Sequence, residues 1–344
     1  MNYASHRVLV PAARGKSMAG VRLPNAGSGG PLFIIGTGRC GSTLFHDLLT
    51  RHPHVSFMTS LANRHPTNPA YNRACVSCID FTGDALRHKY FPVEAYRYWD
   101  HYFHGFSCPF RDLRAGDASP STIKALRAAT REFVTARRPN MIFKITGWPR
   151  IGFLQAVFPQ AKFISVIRDG RAVANSLLKV HFWNGWLGPH RWSWGPLDAE
   201  REARWQRYDR SFVALAALQW EILMEAYAEA KAAIRDPTQL MEIRYEHLCS
   251  DPLGVFRRAT AFAGLEFGDH FASEIASASL RDANQKWRQD LTSAQQAILE
   301  ACMSASLERW GYDVQPDAAA GIANPAPLTT GVHSAIEPTA ISLS

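Results

Sequence analysis

The chain has 344 residues, of which 47% are hydrophobic and 20% are charged, a composition typical of a globular protein with one large α/β domain or two small ones. Its net charge of +8 is unevenly spread: residues 1–30 contribute +4 and residues 315–344 contribute −2, which leaves +6 for residues 31–314. Because no basic run is interleaved with aromatic residues, the charge argues against nucleic acid and indicates a small anionic ligand.

The two ends of the chain differ in composition from the middle. Residues 1–30 are rich in Gly, Ala, Pro and Arg and predict a flexible basic arm, and residues 315–344 predict a flexible tail. One domain over residues 31–314 is therefore expected. Six scattered cysteines do not resemble a disulfide framework, and no apolar run suits a signal peptide or a transmembrane segment. These features predict a reduced, cytoplasmic protein and leave its oligomeric state open.

Short apolar runs predict buried strands, and helical patterns separate them. The runs are Leu32–Ile35, Met141–Ile145, Lys162–Ile167 and Leu240–Ile243. Alternating strands and helices imply parallel crossovers, and hence a three-layer α/β fold with a central parallel sheet. Helix starts are expected at Ser42, Asp169 and Asp251, and an amphipathic pattern over about residues 199–234 predicts one long helix.

The first predicted strand runs into a glycine-bracketed loop and then a helix, in the stretch PLFIIGTGRCGSTLFHDLL from Pro31 to Leu49. The spacing matches the phosphate-binding loop G-x-x-x-x-G-K-[ST], except that Ser42 replaces the lysine that contacts the β- and γ-phosphates. The amides of residues 38–43 still predict an anion site, with Arg39 as the charged side chain. This loop favours a terminal 5′-phosphate or phosphosulfate. The expected fold is that of P-loop-containing nucleoside triphosphate hydrolases.

A second motif, AKFISVIRDGRAVANSLL, follows the third predicted strand. The strand ends at Ile167 and brings Arg168 to the carboxyl edge of the sheet, where open α/β folds bind ligands. Ser176 follows eight residues later on the next predicted helix. The two side chains are expected to converge on a second phosphate, so a nucleotide with separate 5′- and 3′-phosphates would engage both motifs.

Together the motifs resemble those of the sulfotransferases that use 3′-phosphoadenosine-5′-phosphosulfate (PAPS), and the RDGRA variant is most similar to the tyrosylprotein and bacterial branch. The resemblance covers about residues 31–314. It implies in-line transfer of a sulfuryl group from PAPS to a hydroxyl or amine, with 3′,5′-adenosine bisphosphate (PAP) as product and no metal required. The cofactor-binding residues that it implies are Gly38, Arg39, Cys40, Gly41, Ser42, Thr43, Arg168, Ser176, Tyr245, Ser279 (or Ser277), Lys286 and Trp287.

Sulfuryl transfer needs cations near the leaving phosphate and a base for the acceptor. Arg39 and Lys144 are the predicted cations, since Lys144 lies near the end of a strand. The tyrosylprotein-like branch places a glutamate shortly after the His-Pro that ends the loop helix, but here RHPHVSFMTSLANRHP contains no acid. Glu94 is the first predicted base and His65 the second. Other imidazoles in the two regions are those of His46, His54, His101 and His104.

Several alternatives stay open at this point. A P-loop kinase or NTPase would bind magnesium and ATP, and a non-catalytic nucleotide-binding protein of the same fold would explain the missing acid. Cys75 and Cys78 have metal-ligand spacing, with His104 and Cys108 as loose partners, although unpaired cysteines are favoured. The tryptophan-rich residues 181–197 predict either a wall over the acceptor or a self-packed loop. The acceptor itself is left open among small molecules, carbohydrates and lipids.

Overall fold

Five parallel strands form the centre of the computed structural model, which describes residues 30–82 and 84–314. The sheet order is β2-β3-β1-β4-β5. The strands are β1 (Leu32–Gly36), β2 (Val55–Phe57), β3 (Asn140–Thr146), β4 (Lys162–Ile167) and β5 (Leu240–Arg244). All four pairings are parallel, so the carboxyl ends of the strands meet at one edge. The predicted C-terminal tail, and the predicted arm apart from Gly30, lie outside the described residues.

The four predicted strands are confirmed, with ends that differ by at most one residue. Their side chains are almost entirely buried in β1, β3 and β4, as expected for strands covered on both faces. Strand β2 was not predicted. This strand has only three residues, which is too short for a periodic pattern, and it pairs with β3 alone at the edge of the sheet.

Helices flank the sheet and complete the three-layer α/β fold. The predicted helix starts at Asp169 and Asp251 are confirmed, since each carboxylate accepts a backbone N–H of the first turn. The helices are α1 (Ser42–Leu49), α2 (Ser60–Arg64), α3 (Pro69–Thr82), α4 (Asp84–Lys89), α5 (Tyr96–Tyr102), α6 (Pro120–Arg131), α7 (Ile151–Val157), α8 (Gly170–Leu177), α9 (Ala199–Arg207), α10 (Phe212–Ala232), α11 (Tyr245–Ser250), α12 (Pro252–Ala263), α13 (Asp269–Ser277), α14 (Lys286–Asp290) and α15 (Ser293–Arg309).

The prediction of one long helix over residues 199–234 was wrong, because the chain breaks between α9 and α10. Asp209 and Arg210 adopt left-handed backbone conformations, with φ of 50° and 55°, which end the first helix. Ser211 then caps the second helix by accepting the N–H of Val213. Trp205 holds the corner, since its Nε1 donates to the Ser211 carbonyl at 3.0 Å. The apolar pattern continues across this corner, so the sequence alone did not reveal the break.

Helix α8, which follows the second motif, packs closely on α10 through Gly170. A Cβ at Gly170 would lie 2.7 Å from Cδ2 of Trp220 and 2.8 Å from Cε of Met303. Trp220 is fully buried and therefore has little room to move. The absent side chain of Gly170 thus sets how closely the start of α8 approaches the core, and with it the position of the adjacent Arg168.

We expect Gly170→Ala to lower the free energy of unfolding by about 1–3 kcal/mol, because the added methyl overpacks a rigid core. Urea titration of the variant and the natural chain would measure the change. Gly116→Ala is the matched control, since a Cβ there meets open space. The control is expected to stay within about 0.5 kcal/mol of the natural chain. An equal loss in both variants would contradict the packing argument.

Candidate active site

The loop between β1 and α1 is built on left-handed backbone conformations. Gly38, Arg39 and Gly41 have φ of 80°, 54° and 92°. Glycine adopts this region at little cost, whereas Arg39 is held there by the turn around it. Helix α1 then begins at Ser42, and no side chain of the described residues caps it. Its first N–H groups are therefore available to an anion, aided by the helix dipole.

Tyr245 connects this loop to two other parts of the site. Its ring packs so closely on Gly41 that a Cβ there would overlap Cδ2 of the ring. The other ring contact is with Arg168, whose guanidinium carbon lies 4.2 Å from the ring centroid. The Tyr245 hydroxyl donates to the carbonyl of Arg281 at 3.0 Å. Burial raises the pKa of Tyr245 to about 12, so the hydroxyl stays protonated and keeps this bond.

Arg168 leaves the end of β4 and is held by neutral groups. Its Nη1 donates to the Arg39 carbonyl at 2.9 Å, and its Nε donates to Oδ1 of Asn284 at 2.8 Å. The amide nitrogen of Asn284 in turn donates to the carboxylate of Glu246. The amide therefore stands between the guanidinium and the carboxylate, so the positive charge of Arg168 is oriented without a direct ion pair.

Arg39 meets the second motif from the opposite side. Its Nε donates to the hydroxyl of Ser176 on α8 at 2.9 Å. Partial burial and the positive charge of Arg168 lower the pKa of Arg39 from its ordinary value. Within the described residues neither guanidinium forms an ion pair with a carboxylate. Two such cations, joined by the loop backbone, favour an anionic ligand between them.

A separate cluster forms at the end of β3. The side chain of Lys144 is buried, and its Nζ donates to the Thr43 hydroxyl at 2.8 Å. Oε1 of Glu94 lies 3.3 Å from the same Nζ and accepts the Thr146 hydroxyl proton at 2.8 Å. The structure thus brings together the predicted cation and the first predicted base, at the start of α1.

Backbone pairing between two loop segments, which the sequence did not reveal, brings Glu94 to this cluster. Thr59 pairs with Pro92 in an isolated antiparallel bridge, and the Val93 N–H donates to the Met58 carbonyl at 2.9 Å. Residues 58–59 belong to the acid-free segment after the His-Pro at the end of the loop helix. Glu94 therefore lies beside the segment in which the similar sulfotransferase branch carries its glutamate.

Aromatic and buried polar residues fix the surroundings of this cluster. The Tyr96 hydroxyl donates to the Thr146 carbonyl and accepts the Thr146 N–H, at 2.9 and 3.1 Å. Trp194, from the tryptophan-rich segment, lies directly on Gly147, where a Cβ would be 2.7 Å from its ring. Glu94 also lines a cleft of about 570 Å³. One side of this edge is therefore aromatic, and Glu94 is open to the cleft.

The remaining predicted site residues differ from one another in burial and in their contacts. Ser279 and Lys286 are exposed on the segment that crosses beside Arg168. Trp287 is buried and holds α14 against α8, with its ring centroid 5.1 Å from the guanidinium of Arg171. His65, the second predicted base, is exposed with its ring against Tyr71, and none of its described hydrogen bonds reaches Lys144 or Glu94.

Two site residues were missed by sequence reasoning. Asn284 contacts Arg168 directly and Glu246 holds Asn284, although these two residues lie 116 and 78 residues after Arg168 in the chain. Both lie in stretches that resemble the sulfotransferases, but an asparagine or a glutamate at these positions does not by itself indicate a site residue. Their role depends on contacts between distant segments, which no local spacing encodes.

The cysteine pair does not gather other ligands. Cys75 is buried in a small apolar cluster with Phe57 and Ile79, while Cys78 is exposed. Over residues 30–82 and 84–314 no group of three or more His, Cys, Asp or Glu side chains is arranged to hold a metal ion. Within the same ranges, every helix is too short or too polar to cross a bilayer.

Comparison with known proteins places these features in one family. The model of the sulfotransferase family matches residues 31–269. Omega-hydroxy-beta-dihydromenaquinone-9 sulfotransferases Stf3 of Mycobacterium bovis and Mycobacterium tuberculosis are each 26% identical over 322 residues, which covers 82% of this chain and 75% of the relative. The crystal structure of sulfotransferase STF9 from Mycobacterium avium has the same fold, with a TM-score of 0.54 and 18% identity over 83% of this chain and 77% of that one.

A buried histidine on α1 makes the stability of the fold depend on pH. His46 on α1 is fully buried, and its Nε2 has no hydrogen-bond partner among the described residues. Burial, followed by the positive charges of Lys144 and Arg87, lowers the pKa of His46 well below its ordinary value. The unfolded chain binds a proton at this residue near pH 6.5, whereas the folded chain does not.

Stability should therefore fall as the pH drops below about 6.5, because protons bind the unfolded state preferentially. We expect His46→Gln to reduce the loss of melting temperature between about pH 7 and pH 5. His88→Gln, at an exposed position on α4, is the control and should keep the natural slope. Thermal unfolding monitored by circular dichroism measures both. An unchanged slope in His46→Gln would contradict the assignment.

Proposed function

The chain belongs to the sulfotransferase family, and on that premise we propose that PAPS is its sulfuryl donor and that the loop and second motif hold the two ends of that nucleotide. The observation that carries this proposal is that Arg39 and Arg168 meet at the carboxyl edge of the sheet, where neither has a carboxylate partner within residues 30–82 and 84–314. PAPS bears a phosphosulfate at 5′ and a phosphate at 3′, and each of the two motifs offers donors to one of them.

The donors in the loop fit the 5′-phosphosulfate. The uncapped N–H groups at the start of α1 and the side chain of Arg39 all carry positive partial or full charge. Arg168 and the Ser176 hydroxyl fit the 3′-phosphate, and Asn284 keeps Arg168 oriented without neutralising it. Ser42 in place of the P-loop lysine removes the group that would contact a γ-phosphate, which disfavours an ATP- or GTP-dependent reaction.

PAPS supplies the sulfuryl group: the bond from sulfur to the 5′-phosphate oxygen breaks while a bond from sulfur to the acceptor oxygen forms. Arg39 and Lys144 stabilise the negative charge that gathers on the leaving phosphate. The Thr43 hydroxyl and the carboxylate of Glu94 hold Lys144 in place, so its position is fixed before reaction. Such fixed cations lower the barrier because they need no reorganisation during transfer.

Glu94 is the base in this proposal. Its Oε1 accepts from the Thr146 hydroxyl and lies against the Lys144 ammonium, so these two contacts leave the acceptor capacity of Oε2 unused. Glu94 also lines the cleft. An acceptor hydroxyl bound in the cleft can donate its proton to this carboxylate as the new sulfur–oxygen bond forms. The location of Glu94 supports this role. The segment that contains residues 58–59 has no acid of its own, and Glu94 lies beside it.

The acceptor that fits these surroundings is a hydroxyl group on an apolar molecule. Trp194 covers Gly147 beside the cluster, and the partly exposed Phe91 lines the cleft. Aromatic surfaces of this kind bind ring systems and hydrocarbon chains. The two mycobacterial relatives are named for a hydroxylated menaquinone, which is an acceptor of this chemical class.

Calorimetric titration with PAP tests the donor site. Arg39→Ala and Arg168→Ala should each weaken PAP binding by at least about tenfold, since each removes a positive charge from a proposed phosphate site. Arg131→Ala is the matched control, because this exposed arginine ends α6, away from the carboxyl edge of the sheet. Unchanged affinity in both site variants, or preferential binding of ATP with magnesium, would contradict PAPS as donor.

Turnover of radiolabelled PAPS with a panel of hydroxylated apolar acceptors tests the base. Glu94→Gln should lower kcat by about 10²–10⁴-fold while PAP affinity stays within about twofold of the natural value, because the amide cannot accept the proton. His65→Ala serves as the comparison and should retain turnover, given its exposed position. A large loss in His65→Ala with full activity in Glu94→Gln would assign the base to His65 instead.

A further inference from the structure

Large apolar side chains stand exposed beside the segment that carries Trp194. We call Phe182, Trp186, Leu187 and Phe212 the aromatic patch; their exposed fractions are 58%, 45%, 56% and 40%. The rings of Trp186 and Phe212 contact each other, with centroids 4.8 Å apart. Phe182 and Leu187 lie within four residues of Trp186 in the chain. Exposed apolar groups gathered in this way mark interaction surfaces, because water contact with them is unfavourable.

The aromatic patch rests on a fixed support. Trp183 is buried beneath it, and its Nε1 donates to Oε1 of Gln219 on α10 at 2.6 Å. The ring of Trp183 contacts both Trp186 and Phe212, with centroids 4.7 and 6.3 Å apart. Gly185 lies against the same ring, with no space for a Cβ. The exposed side chains are therefore presented by packed structure and not by a loose loop.

The chain around the aromatic patch is positively charged. Residues 170–197 contain no Asp or Glu, and Lys179, His181, His190 and Arg191 are exposed within them. Lys179 pairs with Asp290, whereas the side chain of Arg191 has no ion-pair partner among the described residues. The charged residues just before Phe212 in the chain are two arginines and one aspartate, namely Arg207, Arg210 and Asp209.

We propose that the aromatic patch docks on the surface of a bilayer that contains anionic lipid. Aromatic and aliphatic side chains insert at the level of the headgroups, and flanking Lys and Arg contact lipid phosphates. A second copy of the chain is the less favourable partner, because a symmetric contact would bring like charges together. A bilayer neutralises the same charges.

The position of the aromatic patch has a consequence for the reaction. The segment that carries Phe182 and Trp186 continues to Trp194, which covers Gly147 next to Lys144 and Glu94. Docking would thus hold the end of β3, which Trp194 covers at Gly147, close to apolar molecules dissolved in the bilayer. This consequence rests on the proposed function, whereas binding to the bilayer does not.

Co-sedimentation of the full chain with vesicles, in the absence of nucleotide, tests the proposal. We expect binding to phosphatidylcholine vesicles with about one-third phosphatidylglycerol, and weaker binding as salt is raised. The double variant Trp186→Ser/Phe212→Ser should lower the partition coefficient by about tenfold or more, because it removes two inserting side chains. Arg191→Glu should weaken binding to anionic vesicles and leave binding to neutral vesicles unchanged.

Phe81→Ser is the matched control, since Phe81 is 87% exposed but lies on α3. It should bind as the natural chain does, and the far-ultraviolet circular dichroism spectrum of the double variant should match that of the natural chain. No binding by the natural chain, or equal binding by the double variant, would overturn the proposal. So would a dimer, detected by light scattering, that the double variant abolishes. A natural chain that binds vesicles but not PAP would refute the proposed donor and leave the bilayer proposal standing.

Discussion

The arrangement of the site depends on the positive charge of Arg168, which has no direct carboxylate partner among the described residues. The amide of Asn284 stands between Arg168 and Glu246, donating to the carboxylate and accepting from the guanidinium. A buried ion pair would also have oriented Arg168, yet its carboxylate would have cancelled the positive charge that attracts a phosphate. The neutral amide of Asn284 orients the Arg168 guanidinium and leaves its positive charge uncancelled. Arg168 also donates to the Arg39 carbonyl and stacks on the ring of Tyr245.

The second cation of the site follows the opposite principle. Lys144 is buried, and a buried ammonium without a partner is costly, so a direct contact with Glu94 compensates its charge. The pair lies at the start of α1, where the Thr43 hydroxyl also holds the ammonium. A charge-compensated pair is weaker as an anion site, but it provides a cation and a proton acceptor at one position. In the proposed function, the Arg168 side of the site binds the nucleotide and the Lys144–Glu94 side accepts a proton.

Close packing connects these electrostatic elements to the fold. Gly170 lets α8 approach the core next to Arg168, and Gly41 lets the ring of Tyr245 cover the loop. Gly147 accepts Trp194, which links the tryptophan-rich segment to the end of β3. At each of these positions a side chain would separate two elements that the site needs in contact. The aromatic patch extends the same segment to the surface, so one stretch of chain joins the reaction edge to the outside.

The sequence by itself determined the parallel α/β fold, four of the five strands and the two motifs, because strand periodicity, glycine spacing and helix caps are local properties. It also identified Lys144 and Glu94 one at a time. Only the tertiary structure decided that they meet, since Glu94 arrives through the pairing of Thr59 with Pro92, 33 residues along the chain. The break between α9 and α10 is local, but the left-handed backbone of Asp209 and Arg210 that causes it leaves no mark in the apolar pattern. The exposure of the aromatic patch likewise became visible only in the folded chain. The roles of Asn284 and Glu246 depend on contacts between segments that are distant in the chain, which no local spacing encodes.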